Sequence, residues 1–134
     1  MNMYEQKILL QDLCARLPYG VNVRRLGKTL KLISIRPSYK HCVECELKEG
    51  VNMSYEIDDF ITPYLRPMSS MTEEEMERLT DTHSLLSANG IPNNVCCTVE
   101  GMDYLNSIHV DYRGLIPMGL ALEAPEDMYN SQKE

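Results

Sequence analysis

Cys42-Val43-Glu44-Cys45 has the spacing of a metal-binding or redox pair, and Cys96-Cys97 could add two more thiolates. A tetrahedral zinc site needs four such ligands converging on one point. On a regular strand residues 42 and 45 point to opposite faces, so both could ligate only where the strand is broken. The redox reading is weaker, because a reactive CxxC sits at a helix N-terminus and no helix start lies here. Five cysteines, an odd number without a regular framework, suit reduced, mostly buried thiols. No metal and no cofactor is expected.

His41, His83 and His109 are the candidate bases. His83 lies on an apolar helical stripe, where a half-buried structural residue is the simpler reading. His109-Val110-Asp111 sets an imidazole near a carboxylate, the beginnings of a hydrolase dyad. At a helix end the same pair serves as terminus and cap. The sequence has no GxSxG nucleophile, P-loop, GxGxxG, HExxH or EF-hand pattern. An enzyme is not expected.

Arg24, Arg25, Lys28, Lys31, Arg36 and Lys40 are the best candidates for binding, with Arg113 of Asp111-Tyr112-Arg113-Gly114 as a further anion ligand. Small barrels bind nucleic acid through basic faces with aromatic side chains for stacking, and Tyr19 and Tyr39 are at hand. The competing reading is a solvated face that meets acidic residues of the same or a second molecule. For Arg113 it is pairing with a carboxylate, Gly114 supplying a positive φ. The net charge is −7, split as +6 through Val43 and −13 from Glu44 onward. Nucleic acid is repelled by the bulk of such a chain, so an anion site must sit in the first third. A basic third and an acidic remainder also suit a self-complementary homodimer.

These residues need elements to hold them. Residues 2–17 read as an amphipathic helix capped by Asn2, with Glu5 completing a capping box. Met3, Leu9, Leu10, Leu13, Cys14 and Leu17 fall on its inner face, and Gln11, Asp12 and Arg16 on its outer one. Pro18 stops it. Over 20–57 the pattern predicts a four-stranded antiparallel meander, turning at Leu26-Gly27-Lys28 and at Glu49-Gly50. Leu30 and Leu32 give way to Ile33 and Ile35, a parity change that predicts a bulge near Leu32 or a strand covered on both sides. His41, Val43, Cys45 and Leu47 alternate cleanly, as do Val51, Met53, Tyr55 and Ile57. Four bent strands on one helix resemble an SH3-like half-barrel.

Pro63 and Pro67 then impose an extended approach to a second helix. Thr72 and Glu75 form its capping box, Met71 and Met76 its staple, and Glu73, Glu74 and Glu75 its favourable negative start. That helix is predicted to Leu86. A short strand at Val95–Val99 and a third helix at Val99–His109, capped by Thr98, follow. Residues 111–125 are too rich in Gly and Pro for a helix and too apolar for a free tail. They should wrap back over the core, with fraying beyond Asn130.

Three segments, Asp12 to Val21, Pro63 to Glu75 and Asp111 to Tyr129, resemble a family of small uncharacterised proteins encoded by gut anaerobic bacteria, their phages and other mobile elements. The strands at 22–57 and the loop 80–99 match its variable parts. Where that family has a Trp before Leu105, this chain has Tyr104, which keeps an aromatic plug. The resemblance brings no activity, cofactor or functional residue. It implies a fixed scaffold presenting a changeable surface, as suits an accessory protein that binds a host factor, with host-defence modulation as one such role.

Length and composition agree with one α+β domain over 1–134: 43% of residues are hydrophobic and 25% charged, enough to build one core. No apolar run approaches the roughly 20 residues that span a bilayer, and the first residues lack a secretory leader, so a cytoplasmic protein without membrane contact is expected. The expected function is non-enzymatic binding of a partner, a host protein. The alternative is binding or sequestration of a nucleotide or nucleic acid at the basic hairpins.

Overall fold

The N-terminal helix runs Met3–Arg16 (α1) and starts with the capping box read from the sequence. The Glu5 N–H donates to Asn2 Oδ1 at 2.8 Å, and the Asn2 N–H donates to Glu5 Oε1 at 3.0 Å. Its inward face differs from the periodic reading. Met3 and Cys14 are exposed, whereas Asp12 and Arg16 are completely buried beside Leu9 and Leu13. The two charges enter the interior as a pair, with Arg16 Nε donating to Asp12 Oδ2 at 2.8 Å. The structure, a computed structural model, describes residues 2–36, 42–48, 50–57, 61–82 and 99–129. Lys40, His41, His83, Cys96, Cys97, the Thr98 cap, residues 95–98 of the expected strand, the second helix beyond Thr82 and the tail after Tyr129 lie outside the described residues.

Strands β1 (Asn22–Arg25), β2 (Lys28–Arg36), β3 (Cys42–Lys48) and β4 (Val51–Glu56) pair antiparallel in succession. The register of β2 on β3 shifts between Leu32 and Ser34, where the apolar residues change parity. The sheet does not stop at four strands. β5 (Thr62–Leu65) pairs antiparallel with β1, and β6 (Leu122–Glu123) pairs parallel with β5. Among the described residues the order is therefore β4-β3-β2-β1-β5-β6, six strands rather than four. Pro63, which has no N–H to give, is tolerated inside this sheet because β6 pairs only with Tyr64 and Leu65.

One core forms between α1 and the sheet from Leu9, Leu13, Val21, Val23, Leu30, Leu32, Val43, Cys45, Ile57, Ile61 and Leu65. The C-terminal segment closes it with Leu115, Leu120 and Ala121, and the Ala124 N–H donates to the Leu65 carbonyl at 2.8 Å. Helices α2 (Glu73–Thr82) and α3 (Val99–Ser107) pack on one another and bury Leu79 and Leu105. The capping box of α2 forms, with the Glu75 N–H donating to Thr72 Oγ1 and the Thr72 N–H to Glu75 Oε1. Among the described residues no helix is long and apolar enough to cross a membrane.

Candidate functional site

Three distant stretches of chain meet at the end of α1. Arg16 Nη2 donates to Asp12 Oδ1 at 3.1 Å and to the Val110 carbonyl at 2.7 Å. Arg113 Nε donates to the same Asp12 oxygen at 3.1 Å, and its Nη2 reaches the Tyr112 hydroxyl. Arg66 lies beside Val110 in a parallel bridge, while its guanidinium grips both Glu75 oxygens at 2.7 Å. The three stretches thus form one polar knot, buried at Asp12 and Arg16 and partly exposed at Arg66 and Arg113. Arg113 belongs to that knot, opposite an aspartate, and not to the basic hairpins.

His109 ends α3. It adopts φ +60°, the left-handed conformation usually given to glycine at a helix C-terminus. The His109 N–H donates to the Asn106 carbonyl and the Val110 N–H to the Leu105 carbonyl, the two bonds of a Schellman motif. The ring is fully buried, stacks on Tyr129 at 4.0 Å and points Nε2 at the Tyr19 carbonyl 3.2 Å away, which only an N–H can serve. Asp111 caps the turn that follows. Its two oxygens accept from the N–H groups of Leu115 and Ile116 at 2.8 and 2.9 Å. The His109–Asp111 pair of the sequence is therefore a helix terminus and a turn cap.

Tyr129 completes this region, accepting from the Asn22 N–H at 3.1 Å and donating to the Tyr64 carbonyl at 2.8 Å. Burial pushes its phenol up to about 12 from the ordinary 10.0. A raised folded value favours folding below pH 10, and that stability is lost as the pH rises from about 10 through about 12. The unfolding free energy from urea titrations should fall steeply there, by roughly 2–3 kcal/mol in total, and Tyr129→Phe should flatten the slope. Burial also pushes the Cys45 thiol up to about 11, so Cys45→Ala should remove an earlier part of the same fall.

The hairpin cations divide by the pleat of the sheet. Arg24, Lys31 and Arg36 lie on the outer face and are exposed, with Lys31 directly across from Glu46 of β3. Arg25 and Lys28 are cross-strand partners on the other face. The Arg25 guanidinium lies 4.0 Å over the Tyr55 ring, a cation–π contact, and among the described residues its Nε has no hydrogen-bond partner. The candidates therefore make two small groups on opposite faces, joined only at the β1–β2 tip. Cys42 and Cys45 are likewise split by the pleat, and among the described residues no three metal-ligating side chains cluster.

At that tip the core runs out. Leu26 and Gly27 connect β1 to β2 with φ of +49° and +81°, as in a type I′ turn. Such turns take Asn, Asp or Gly. A leucine in this conformation costs roughly 1–2 kcal/mol, and here it is 65% exposed. Arg25, Leu26, Lys28, Leu30, Leu47 and Tyr55 line a groove of about 230 Å³ beside it. The sequence carried this signal in Leu26-Gly27, where an apolar residue occupies a position that favours a polar one.

Two larger clefts, of about 530 and 440 Å³, share Arg66, Thr72 and Tyr129. Their cations are already engaged: Arg66 on Glu75 and Ser70, Arg78 over the Tyr104 ring at 4.9 Å. No protein-family model, curated protein or solved structure matches this chain.

Proposed function

We propose that this chain is a non-catalytic, cytoplasmic accessory protein of a phage or mobile element that binds a host protein through the β1–β2 tip. The observation that carries the reading is Leu26, held exposed in a left-handed conformation beside an apolar groove rimmed by Arg25 and Lys28. Strain kept at an exposed apolar side chain suggests selection for contact rather than for stability. Charge complementarity favours a partner segment with one apolar side chain flanked by carboxylates. The family resemblance supports the same division. Its three segments make the polar knot, and β1–β4, an SH3-like half-barrel in this proposal, is the presented surface.

Leu26→Asn tests it cleanly. Asn-Gly is a preferred type I′ pair, so this variant should be at least as stable as the parent. Screened against randomised peptides, the parent should enrich an apolar residue next to Asp or Glu, and Leu26→Asn should bind those peptides about tenfold less. Equal binding by both proteins sinks the proposal.

A second reading rests on Arg24, Arg25 and Lys28 meeting at one tip, with Arg25 Nε lacking a hydrogen-bond partner among the described residues. It makes the tip a site for a nucleotide or nucleic acid. Anisotropy of short labelled oligonucleotides at low salt decides it: binding lost in Arg25→Glu favours this reading, and no binding removes it.

A further inference from the structure

β4 is the outermost strand of the sheet, six residues long, and among the described residues no strand covers its far side. The opposite edge, β6, has only two residues. Proteins usually blunt a long edge with proline, lysine or inward charge, because its free N–H and C=O groups invite another strand. Val51 to Glu56 contains no proline or lysine, and its one charge, Glu56, is at the end. Along the core face of this edge, Val51 and Met53 remain 38% and 47% exposed, continuing the exposed Leu47 of β3.

We infer that β4 pairs antiparallel with β4 of a second copy of this chain about a two-fold axis at Met53. The side chains select that register. If the apolar faces of the two sheets are to lie on the same side, odd-numbered residues must face odd-numbered ones. Centring on Met53 sets it against Met53 of the partner subunit and Val51 against Tyr55 of the partner subunit, a β-branched residue against an aromatic one. Asn52 meets Ser54 of the partner subunit on the polar face, where each can hydrogen-bond the other. Glu56 falls opposite Gly50 of the partner subunit, so no like charges oppose. Moving the centre to Tyr55 would draw on Ile57, which is already only 4% exposed in the core. The occupant is a second copy because the strand complements itself in side-chain shape, hydrogen bonding and charge. A strand pair alone buries less than the roughly 1,200 Å² of a standard interface, so the dimer is reversible.

Sedimentation velocity from about 1 to about 100 μM, the range in which such weak dimers form, should show the mass rise from one chain towards two. Met53→Lys should weaken the association more than tenfold without loss of folding, since the side chain is half outside the core. Under mild oxidation Met53→Cys should give a disulfide-linked dimer, because the axis puts the two copies of that position directly opposite. Asn52→Cys, which faces Ser54 of the partner subunit, should cross-link far less. A single-chain mass at every concentration overturns the inference. So does a dimer that survives Met53→Lys, or equal cross-linking of the two cysteine variants. None of these results bears on Leu26, so the tip reading stands or falls separately.

Discussion

Asp12→Ala should cost roughly 3–5 kcal/mol of folding stability, a large share of what a single domain has in total. The carboxylate is completely buried and receives three donations, two from Arg16 and one from Arg113. Removing it leaves the Arg16 guanidinium at zero exposure with the Val110 carbonyl as its remaining acceptor and the Tyr112 ring 5.2 Å away. Among the described residues, Nη1 of that guanidinium already has no hydrogen-bond partner. An uncompensated buried cation is the expensive outcome, not the loss of the bonds themselves. The double variant Asp12→Leu/Arg16→Met should therefore recover most of the loss, since apolar side chains of similar volume remove both charges. Urea unfolding followed by circular dichroism measures all the corners of this cycle. A cost under about 1 kcal/mol for Asp12→Ala would mean that Arg16 reaches water, and the knot would not be the closed unit described.

That pair also marks the limit of what periodicity can read. Asp12 and Arg16 are four apart, the spacing of an ordinary exposed helix pair, and hydrophobic patterning sends both outward. What buries them is Val110 and Arg113, about a hundred residues later, and no local pattern announces a contact of that range. Local signals fared differently. Asn2 with Glu5 and Thr72 with Glu75 each formed the predicted capping box, because a cap is decided within four residues. The parity change at Leu32 marked a real register shift for the same reason.

The sheet divides along the same line. β1 to β4 were legible because each is joined to the next by a short link and alternates in polarity. At β5 the sequence signals only an extended approach to a helix. Its pairing with β1 joins residues about forty apart in sequence, and its pairing with the two residues of β6 depends on the C-terminal segment returning to Leu65. The candidate site was half legible. The basic residues are evident in the sequence, but Arg24 and Arg25 are adjacent and so must face opposite sides of a strand. That parity by itself is enough to split the cluster. Arg113 needed more, since only the fold brings it to Asp12.

Asp111→Ala should cost about 2–4 kcal/mol, and it separates the structural role of the His109–Asp111 pair from a catalytic one. The carboxylate is nearly buried and caps two consecutive N–H groups, those of Leu115 and Ile116. An ionised acceptor serving backbone N–H groups makes bonds worth more than neutral ones, and its removal strands two donors, one of them on a fully buried residue. Leu115 is also part of the core, so the loss should spread to Leu120 and Ala121, which close the sheet. Asp111→Asn retains one acceptor and presents an N–H₂ to the second donor, so it should fall between Ala and the parent. A general acid or base would give another pattern, with Asn as inactive as Ala and little change in stability. Thermal unfolding of both variants distinguishes the two: a graded loss, Ala below Asn, is expected from the cap. If both variants unfold with the parent, Leu115 and Ile116 do not depend on that carboxylate, and the dyad reading regains its claim on Asp111.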